Sequence, residues 1–352
     1  MAPGRICLFG DHQDYLELPV IACAISREVI LSSEENEHQQ FHIRMPDIKS
    51  ERVIPIEESF NILEEGDHFA SALRVVRRYG CIPNIGYDIE LKSTIPINAG
   101  TSSSSAIVVV WVHFLLIAFG CDQEITPSFI AQLAYEAEVL EHNSPGGKMD
   151  QYTIALGNII YIDTSKNFSF EKIGTKMEGL ILGVSGIPKK TIGLLGELRG
   201  KAQEAIAQVK AVKPDFNLER ATLEDITPFS EYISEPLQPY FYAAVKNHDI
   251  TQKARQFFRE TAPDLKIIGR LMSAHHEVLK DVLKITVPLI DAMISAALDA
   301  GAYGAKIVGS GGGGSIVALT SSETKLAVIE AIKKAGAIDA YEVSVEKGTY
   351  IQ

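Results

Sequence analysis

Four short stretches of this 352-residue chain gather groups that can do chemistry. The first is Pro3-Gly-Arg-Ile-Cys-Leu-Phe-Gly-Asp-His-Gln-Asp-Tyr15, where Asp11, His12 and Asp14 follow a short apolar run. Two carboxylates and an imidazole this close supply acceptors and a donor together, which suits the hydroxyls of a polyol. The second is Pro96-Ile-Asn-Ala-Gly-Thr-Ser-Ser-Ser-Ser-Ala106, in which Gly100, Thr101, Ser102, Ser103, Ser104 and Ser105 enter an apolar segment. At the start of a helix the first N–H groups lack partners and the dipole favours an anion. The hydroxyls add donors, and one is suited to ligate a Mg2+ bound to phosphate. The run is not a G-x-x-x-x-G-K-[ST] loop.

The third stretch is Glu138 with Glu141-His-Asn-Ser-Pro-Gly-Gly-Lys-Met-Asp-Gln151. It sets one carboxylate at a helix end and another, Asp150, just past a tight turn. Mg2+ needs hard oxygen ligands, and phosphorylation of a hydroxyl needs a group to accept or position its proton. The fourth is Gly309-Ser-Gly-Gly-Gly-Gly-Ser315 between two apolar strands. Each glycine costs about 0.5–1 kcal/mol relative to alanine, which points to a backbone that must approach something closely. Each stretch also has a plain structural reading. Residues 11–14 suit a solvated turn, the serines a helix cap, Asp150 an N-cap, and the glycines a hairpin loop.

The elements that must position these groups can be read from periodicity. Strands are expected at 6–9, 20–32, 87–94, 158–163, 180–184, 305–308, 315–319 and 340–345. Helices are expected at 69–79, 106–119, 149–156, 191–212, 237–247, 264–283, 287–300 and 324–335. Another should begin at Thr126 as N-cap with Pro127 at the first position and run to about residue 140. Residues 164–178 read as a polar crossover. A chain this long defaults to two domains, and strands separated by long helices suggest an α+β layered arrangement.

Composition narrows the function. Apolar residues make up 46% and charged residues 22%, as in ordinary globular proteins. A net charge of −12 argues against a general nucleic-acid binder, yet leaves room for phosphate held by backbone N–H groups. The four cysteines form no C-x-x-C pair, which speaks against structural zinc and for reduced core thiols. Arg5, Asp11 and Asp14 stand where a secretion signal needs its apolar region. The apolar stretch 106–120, with His113 inside, falls short of the roughly 20 residues of a membrane span and reads as a core helix. The expectation is a cytoplasmic protein with neither nucleic-acid nor membrane partner.

In their order along the chain the four stretches resemble the motifs of the GHMP kinases. Gly-Asp-His-Gln-Asp-Tyr15 is close to the galactokinase signature G-E-H-x-D-Y, and Pro96–Ala106 resembles the second motif, P-x-x-x-G-[LT]-S-S-S-A. Residues 309–315 resemble the glycine-rich third motif, and Gly147-Lys-Met-Asp-Gln151 is similar to the galactokinase G-I-M-D-Q segment. Residues 268–319, including Gly301-Ala-Tyr-Gly-Ala-Lys306, also run like a galactokinase C-terminal half.

The resemblance implies a two-domain fold. An N-terminal domain like ribosomal S5 domain 2 would span 1–175, and a ferredoxin-like C-terminal domain 176–352, with the site in the cleft. It implies a sugar kinase using ATP and Mg2+, acting most naturally at the anomeric hydroxyl of galactose or a related hexose. Mevalonate, an amino-acid alcohol and a uronic acid are alternative acceptors within the superfamily, and a non-catalytic sugar sensor is a further alternative. Asp150 would be the catalytic aspartate and Arg5 would stabilise its charge and the transferring phosphoryl group. Ser104 and Glu138 would hold Mg2+. Asp11, His12, Asp14 and the backbone of Gly147 would hold the sugar. Gly100 to Ser105 would cradle the ATP phosphates, with Gly311 and Gly312 shaping the site beside them.

The departures are equally specific. Asp11 replaces a glutamate, Leu16 an asparagine, and Lys148 an apolar residue. The third loop lacks the usual aromatic residue. The tyrosine- and arginine-containing segment of galactokinases has no counterpart in Gly186-Ile-Pro-Lys-Lys-Thr191. The chain also begins on the first motif, so the first strand is expected to be short or to lack its start.

Overall fold

The computed structural model describes residues 1–352 apart from 176 and 190. The first half contains β1 (Ala2–Phe9), β2 (Val20–Asn36), β3 (Gln40–Met45), β4 (Ser50–Pro55), α1 (His68–Arg77), β5 (Gly86–Ser93), α2 (Ser103–Phe119), α3 (Pro127–Tyr135), α4 (Met149–Leu156), β6 (Ile159–Asp163) and β7 (Ser169–Ile173). The second contains β8 (Leu180–Val184), α5 (Thr191–Val212), α6 (Ile226–Ser230), α7 (Gln238–Phe258), α8 (Leu265–Glu277), α9 (Pro288–Asp299), β9 (Gly304–Val308), β10 (Ser315–Leu319), α10 (Lys325–Lys334) and β11 (Asp339–Val343). No helix among the described residues is long and apolar enough to cross a membrane.

The strands form two sheets. Seven strands make the first, ordered β4-β3-β5-β2-β6-β7 with β1 pairing to β2. The second is antiparallel and ordered β11-β8-β10-β9. Its strand-helix-strand-strand-helix-strand succession is the ferredoxin-like arrangement expected from the motifs. The fold is α+β throughout.

Period-2 alternation shows why β1 sits between the sheets. Cys7 joins the core built on α1 and α2, while Ile6 and Leu8 join a core shared with Leu180, Leu182 and Val317 of the second sheet. A register shift between Cys7 and Phe9 puts Phe9 on the same side as Leu8. Helix α2 is apolar on nearly every face because it is enclosed, with Trp111 packed edge-on against Phe41 and Phe69.

Several boundaries differ from the periodic reading. Helix α2 starts at Ser103 rather than 106, because the serines themselves make its first turn; Ala106 N–H donates to the Ser102 carbonyl at 3.0 Å. Thr126 caps α3 as expected, accepting from Phe129 N–H at 3.2 Å with Pro127 at the first position. The continuation to Leu140 is a π-helical turn over Glu136–Leu140. The 164–178 crossover holds strand β7, and β3 and β4 lie in a polar region where no strand was read. Strands β4 and β7 lie at the two edges of the sheet, and β3 lies between β4 and β5.

One buried ion pair joins the two halves. The ammonium of Lys306, in β9, is fully enclosed and donates to Asp11 Oδ2 at 2.6 Å, the Cys7 carbonyl at 2.9 Å and the Ile307 carbonyl at 2.8 Å. Asp11 Oδ1 accepts from Gly309 N–H at 3.1 Å. Both Asp11 oxygens thus serve the second sheet, while the residue also borders the cavity described below. Burial alone would raise the Asp11 carboxyl, but Lys306 and His275 outweigh it and hold the group below its usual range.

Removing one partner of such a pair leaves the other charge buried and alone. Lys306→Met is expected to lower the unfolding free energy by about 3–5 kcal/mol. Asp11→Asn added to it should restore part of the loss. Urea unfolding at pH 7 measures both, and an unchanged midpoint in Lys306→Met would contradict the assignment.

Candidate active site

Arg5 leaves β1 into the gap between the two loops that begin α2 and α4. Its Nε donates to Asp150 Oδ1 at 2.7 Å and its Nη2 to Oδ2 at 2.8 Å, a fork matched to a carboxylate. Its Nη1 reaches the Gly100 carbonyl at 2.5 Å, and its backbone N–H donates to the Thr101 carbonyl at 3.2 Å. Ser102, in left-handed conformation, donates its hydroxyl to Asp150 Oδ2 at 2.5 Å instead of capping α2. Asp150 thus has three charge-directed donors. Burial would raise its carboxyl, but Arg5 and the Ser102 hydroxyl outweigh burial and hold it below the usual carboxylate range.

The π-helical turn carries Glu138 toward the same serines. Its Oε1 accepts from Ser105 at 2.9 Å and Ser104 at 3.1 Å, and its Oε2 from Gln151 Nε2 at 2.6 Å. Burial, with Asp150 nearby, raises the Glu138 carboxyl despite these donors. A half-buried carboxylate gripped by hydroxyls suits a hard metal ion. Two oxygens on one Mg2+ at about 2.1 Å stand about 3 Å apart, as Ser104 and Glu138 do. Among the described residues no three His, Cys, Asp or Glu side chains converge on a metal. The pair would therefore hold Mg2+ only together with phosphate oxygens.

Asp14 and His12 come from the turn after β1. His12 adopts a positive φ of 64°, bonds Tyr15 through Nδ1 at 3.0 Å, and leaves Nε2 buried without a partner. Asp14 lies against Gly147, where an added Cβ would stand 2.2 Å from its carboxylate oxygen. Only glycine fits there. Burial, then the nearby Asp150, pushes the Asp14 carboxyl up to about 6. Asp14, His12, Gly147, Arg5, Asp150 and Glu138 all line one cavity of ≈ 170 Å³.

The remaining loop residues divide. Ser102, Ser104 and Ser105 line the cavity, whereas Gly100, Thr101 and Ser103 do not. Gly100 instead lets the serine loop approach the second half: its added Cβ would meet the Val308 carbonyl at 2.6 Å. In the glycine loop, Gly309 and Ser310 face the cavity. Gly311 and Gly312 turn away and pack on Ile285, whose carbonyl accepts from Gly312 N–H at 2.7 Å. Of this loop, Gly309 and Ser310 rather than the expected Gly311 and Gly312 border the cavity.

Lys189 is the residue that sequence reasoning missed. It lies in the Gly186–Thr191 stretch noted above, of which Lys190 is outside the described residues. Its backbone N–H donates to the Asn98 carbonyl at 3.3 Å, and its side chain lines the cavity between Arg5, Asp150 and Glu138. Burial and the charge of Arg5 lower its ammonium pKa, while both carboxylates oppose that shift. The only sequence signal was two adjacent lysines after a strand. Lys148, noted as a departure, does not face open solvent; its ammonium lies 4.4 Å from the centre of the Phe168 ring and 5.4 Å from that of Tyr135.

This geometry can be set against known proteins. Residues 67–158 match the GHMP kinases N terminal domain, residues 254–338 the GHMP kinases C terminal family, and residues 1–33 the galactokinase galactose-binding signature. A mevalonate kinase of Thermococcus sibiricus is 27% identical over 346 residues, covering 95% of this chain and 92% of the relative. A galactokinase of Thermotoga maritima is 26% identical over 362 residues, covering 100% and 98%. The crystal structure of Lactococcus lactis galactokinase with galactose superposes with a TM-score of 0.86 at 22% identity, covering 99% of this chain and 93% of that one. With both halves of the fold and the galactose-binding signature matched in order, the chain belongs to the GHMP kinases and is a galactokinase-like, ATP-dependent phosphotransferase with an alcohol group as acceptor.

Proposed function

We propose that the chain transfers the γ-phosphoryl group of ATP to the anomeric hydroxyl of galactose or a related hexose. The observation that carries this reading is the shared cavity. Asp150, the hydroxyls that start α2, and the underused acceptors Asp14 and His12 line one space. The galactose-binding signature over 1–33 includes the turn that supplies the last two. Mevalonate is the second reading, favoured by the near full-length similarity to the Thermococcus enzyme. A panel of hexoses and mevalonate with Mg-ATP, read by ADP release and by the phosphorylated carbon in NMR, decides between them.

Residues 1–175 and 176–352 act in this reading as two domains with the site between them. The first three N–H groups of α2, with Ser104 and Ser105, bind the ATP phosphates. Gly100, Thr101 and Ser103 shape that loop from behind. When bound, Mg2+ would supply positive charge to the phosphates beside Ser104 and Glu138. Asp14 and His12 Nε2 hold sugar hydroxyls and bring one of them to Asp150. The hydroxyl oxygen forms the new bond to phosphorus, the bond to the bridging oxygen breaks to release ADP, and the hydroxyl proton passes to Asp150. A carboxylate held below its usual pKa is a weak base, so Asp150 mainly orients the hydroxyl and takes its proton late, as suits a loose transition state. Arg5 keeps Asp150 ionised, and Lys189 neutralises charge on the transferring group.

Three outcomes are expected. Asp150→Asn should lose about 10²- to 10⁴-fold in kcat while ATP binding, measured by calorimetry, persists; near-normal turnover would remove Asp150 from the mechanism. Lys189→Met should lower kcat by about tenfold or more, in the range of one lost charge-assisted hydrogen bond, with the sugar KM little changed. A raised KM with intact kcat would instead make Lys189 a binding residue.

The third concerns pH. Asp14, raised to about 6, loses its acceptor charge as pH falls through that value. The sugar KM should therefore rise below about pH 6, and Asp14→Asn should abolish that dependence. Because the folded pKa is raised, the ionised carboxylate costs stability above pH 6, a cost absent below its unfolded value of about 3.9. Asp14→Asn should thus fold at least as stably as the parent at pH 7 while using sugar poorly. An unchanged acid limb in that variant would reassign it.

A further inference from the structure

Next to the catalytic cavity lies a second chamber of ≈ 310 Å³, and the two meet at Asp14, Gly146 and Gly147. The chamber's other charged walls are Lys148, Lys166, Arg199 and a single carboxylate, Glu17. Counting Asp14, cations outnumber carboxylates three to two in a chain whose overall charge is −12. Elsewhere several arginines are paired: Arg74 and Arg78 with Glu141, Arg255 and Arg259 with Glu171. Lys148, Lys166 and Arg199 have no such carboxylate partner among the described residues.

Lys148 is also held in place. Its ammonium lies over the Phe168 ring and beside Tyr135, so its stem is fixed and its charge is partly removed from water. Burial accordingly lowers its pKa, with Glu136 as the opposing charge. Arg199, from α5, also lines the chamber and lies near enough to act on Tyr15 and Tyr135. Lys166 stands at the exposed rim. None of the phosphate-side groups, Ser102, Ser104, Glu138, Lys189 or Ser310, borders this chamber. ATP therefore does not account for the cations, and the acceptor side of the site opens onto them.

We infer that the chamber is an acceptor subsite for an anionic substituent, a carboxylate or phosphate ester carried by the hexose on a carbon away from the one that is phosphorylated. This deepens the hexose reading above and rests on it. The substituent would be held by Lys148 and Arg199, which both line the chamber, with Lys166 drawing it in from the rim. The sugar ring stays at Asp14 and Gly147, which border both spaces.

The test measures kcat/KM of the full chain with Mg-ATP for galactose, galacturonate and galactose 6-phosphate. At least one acidic sugar should exceed galactose by about tenfold, and the carboxylate and phosphate arms tell which anion is taken. Lys148→Met and Arg199→Gln, made separately, should each lower the acidic-to-neutral ratio of kcat/KM by about tenfold, equal to about 1.4 kcal/mol. That ratio does not move when a variant merely folds less well. Preference for galactose over both acids, or ratios unmoved in both variants, would overturn the inference while leaving the hexose reading intact. No turnover of any of the three sugars would overturn the hexose reading and this inference together.

Discussion

The site depends on the fork between Arg5 and Asp150. A buried guanidinium and a carboxylate at the cavity wall, joined at 2.7 and 2.8 Å, hold together because the buried cation cannot be left alone. Arg5 has a further bond to the Gly100 carbonyl, and Asp150 a further donor in Ser102. One guanidinium therefore fixes the middle of β1, the start of α2 and the first turn of α4 relative to each other. Those three elements are separated by up to 145 positions in the chain. The same fork sets the protonation state of Asp150. The arrangement that gives the site its shape also gives it its charge.

A second constraint brings the other half of the molecule to this point. Asp11 sits two residues beyond β1, and its carboxylate grips Lys306 and the first N–H of the glycine loop. Glycines then allow the loops to touch backbone to backbone. An added Cβ at Gly314 would stand 3.0 Å from the Ala99 carbonyl, and one at Gly309 would stand 3.2 Å from that of Gly100. The phosphate-side loop is thus clamped between β1 and β9. Lys189, anchored by its backbone to Asn98, enters the cavity through the same seam. A cation from the second half thereby reaches carboxylates supplied by the first.

Much of this was legible where local chemistry decides the outcome. The serine run could only be a helix start followed by an enclosed helix, and Thr126-Pro127 could only open one. The four-strand order of the second sheet followed from the family motifs. What stayed hidden depends on pairs far apart in sequence. Nothing near Asp11 in the chain reveals its pairing with Lys306, 295 residues away. Lys189 carried no role in the sequence reading, since its placement depends on the approach of Asn98, distant in the chain. Strand β3 did carry an alternation, Phe41 and Ile43 inward between Gln40, His42 and Arg44, but its pairing with β4 and β5 depends on contacts distant in the chain. The glycine loop was read correctly as a close approach, but not which of its residues would face the cavity.

The most direct test of the central fork is a double-mutant cycle on kcat with Arg5→Met and Asp150→Asn. If the pair acts as one unit, the double variant should lose little more activity than the worse single variant, giving a strongly non-additive cycle. Losses that simply multiply would mean that Arg5 and Asp150 act independently, and the account built on their pairing would fail.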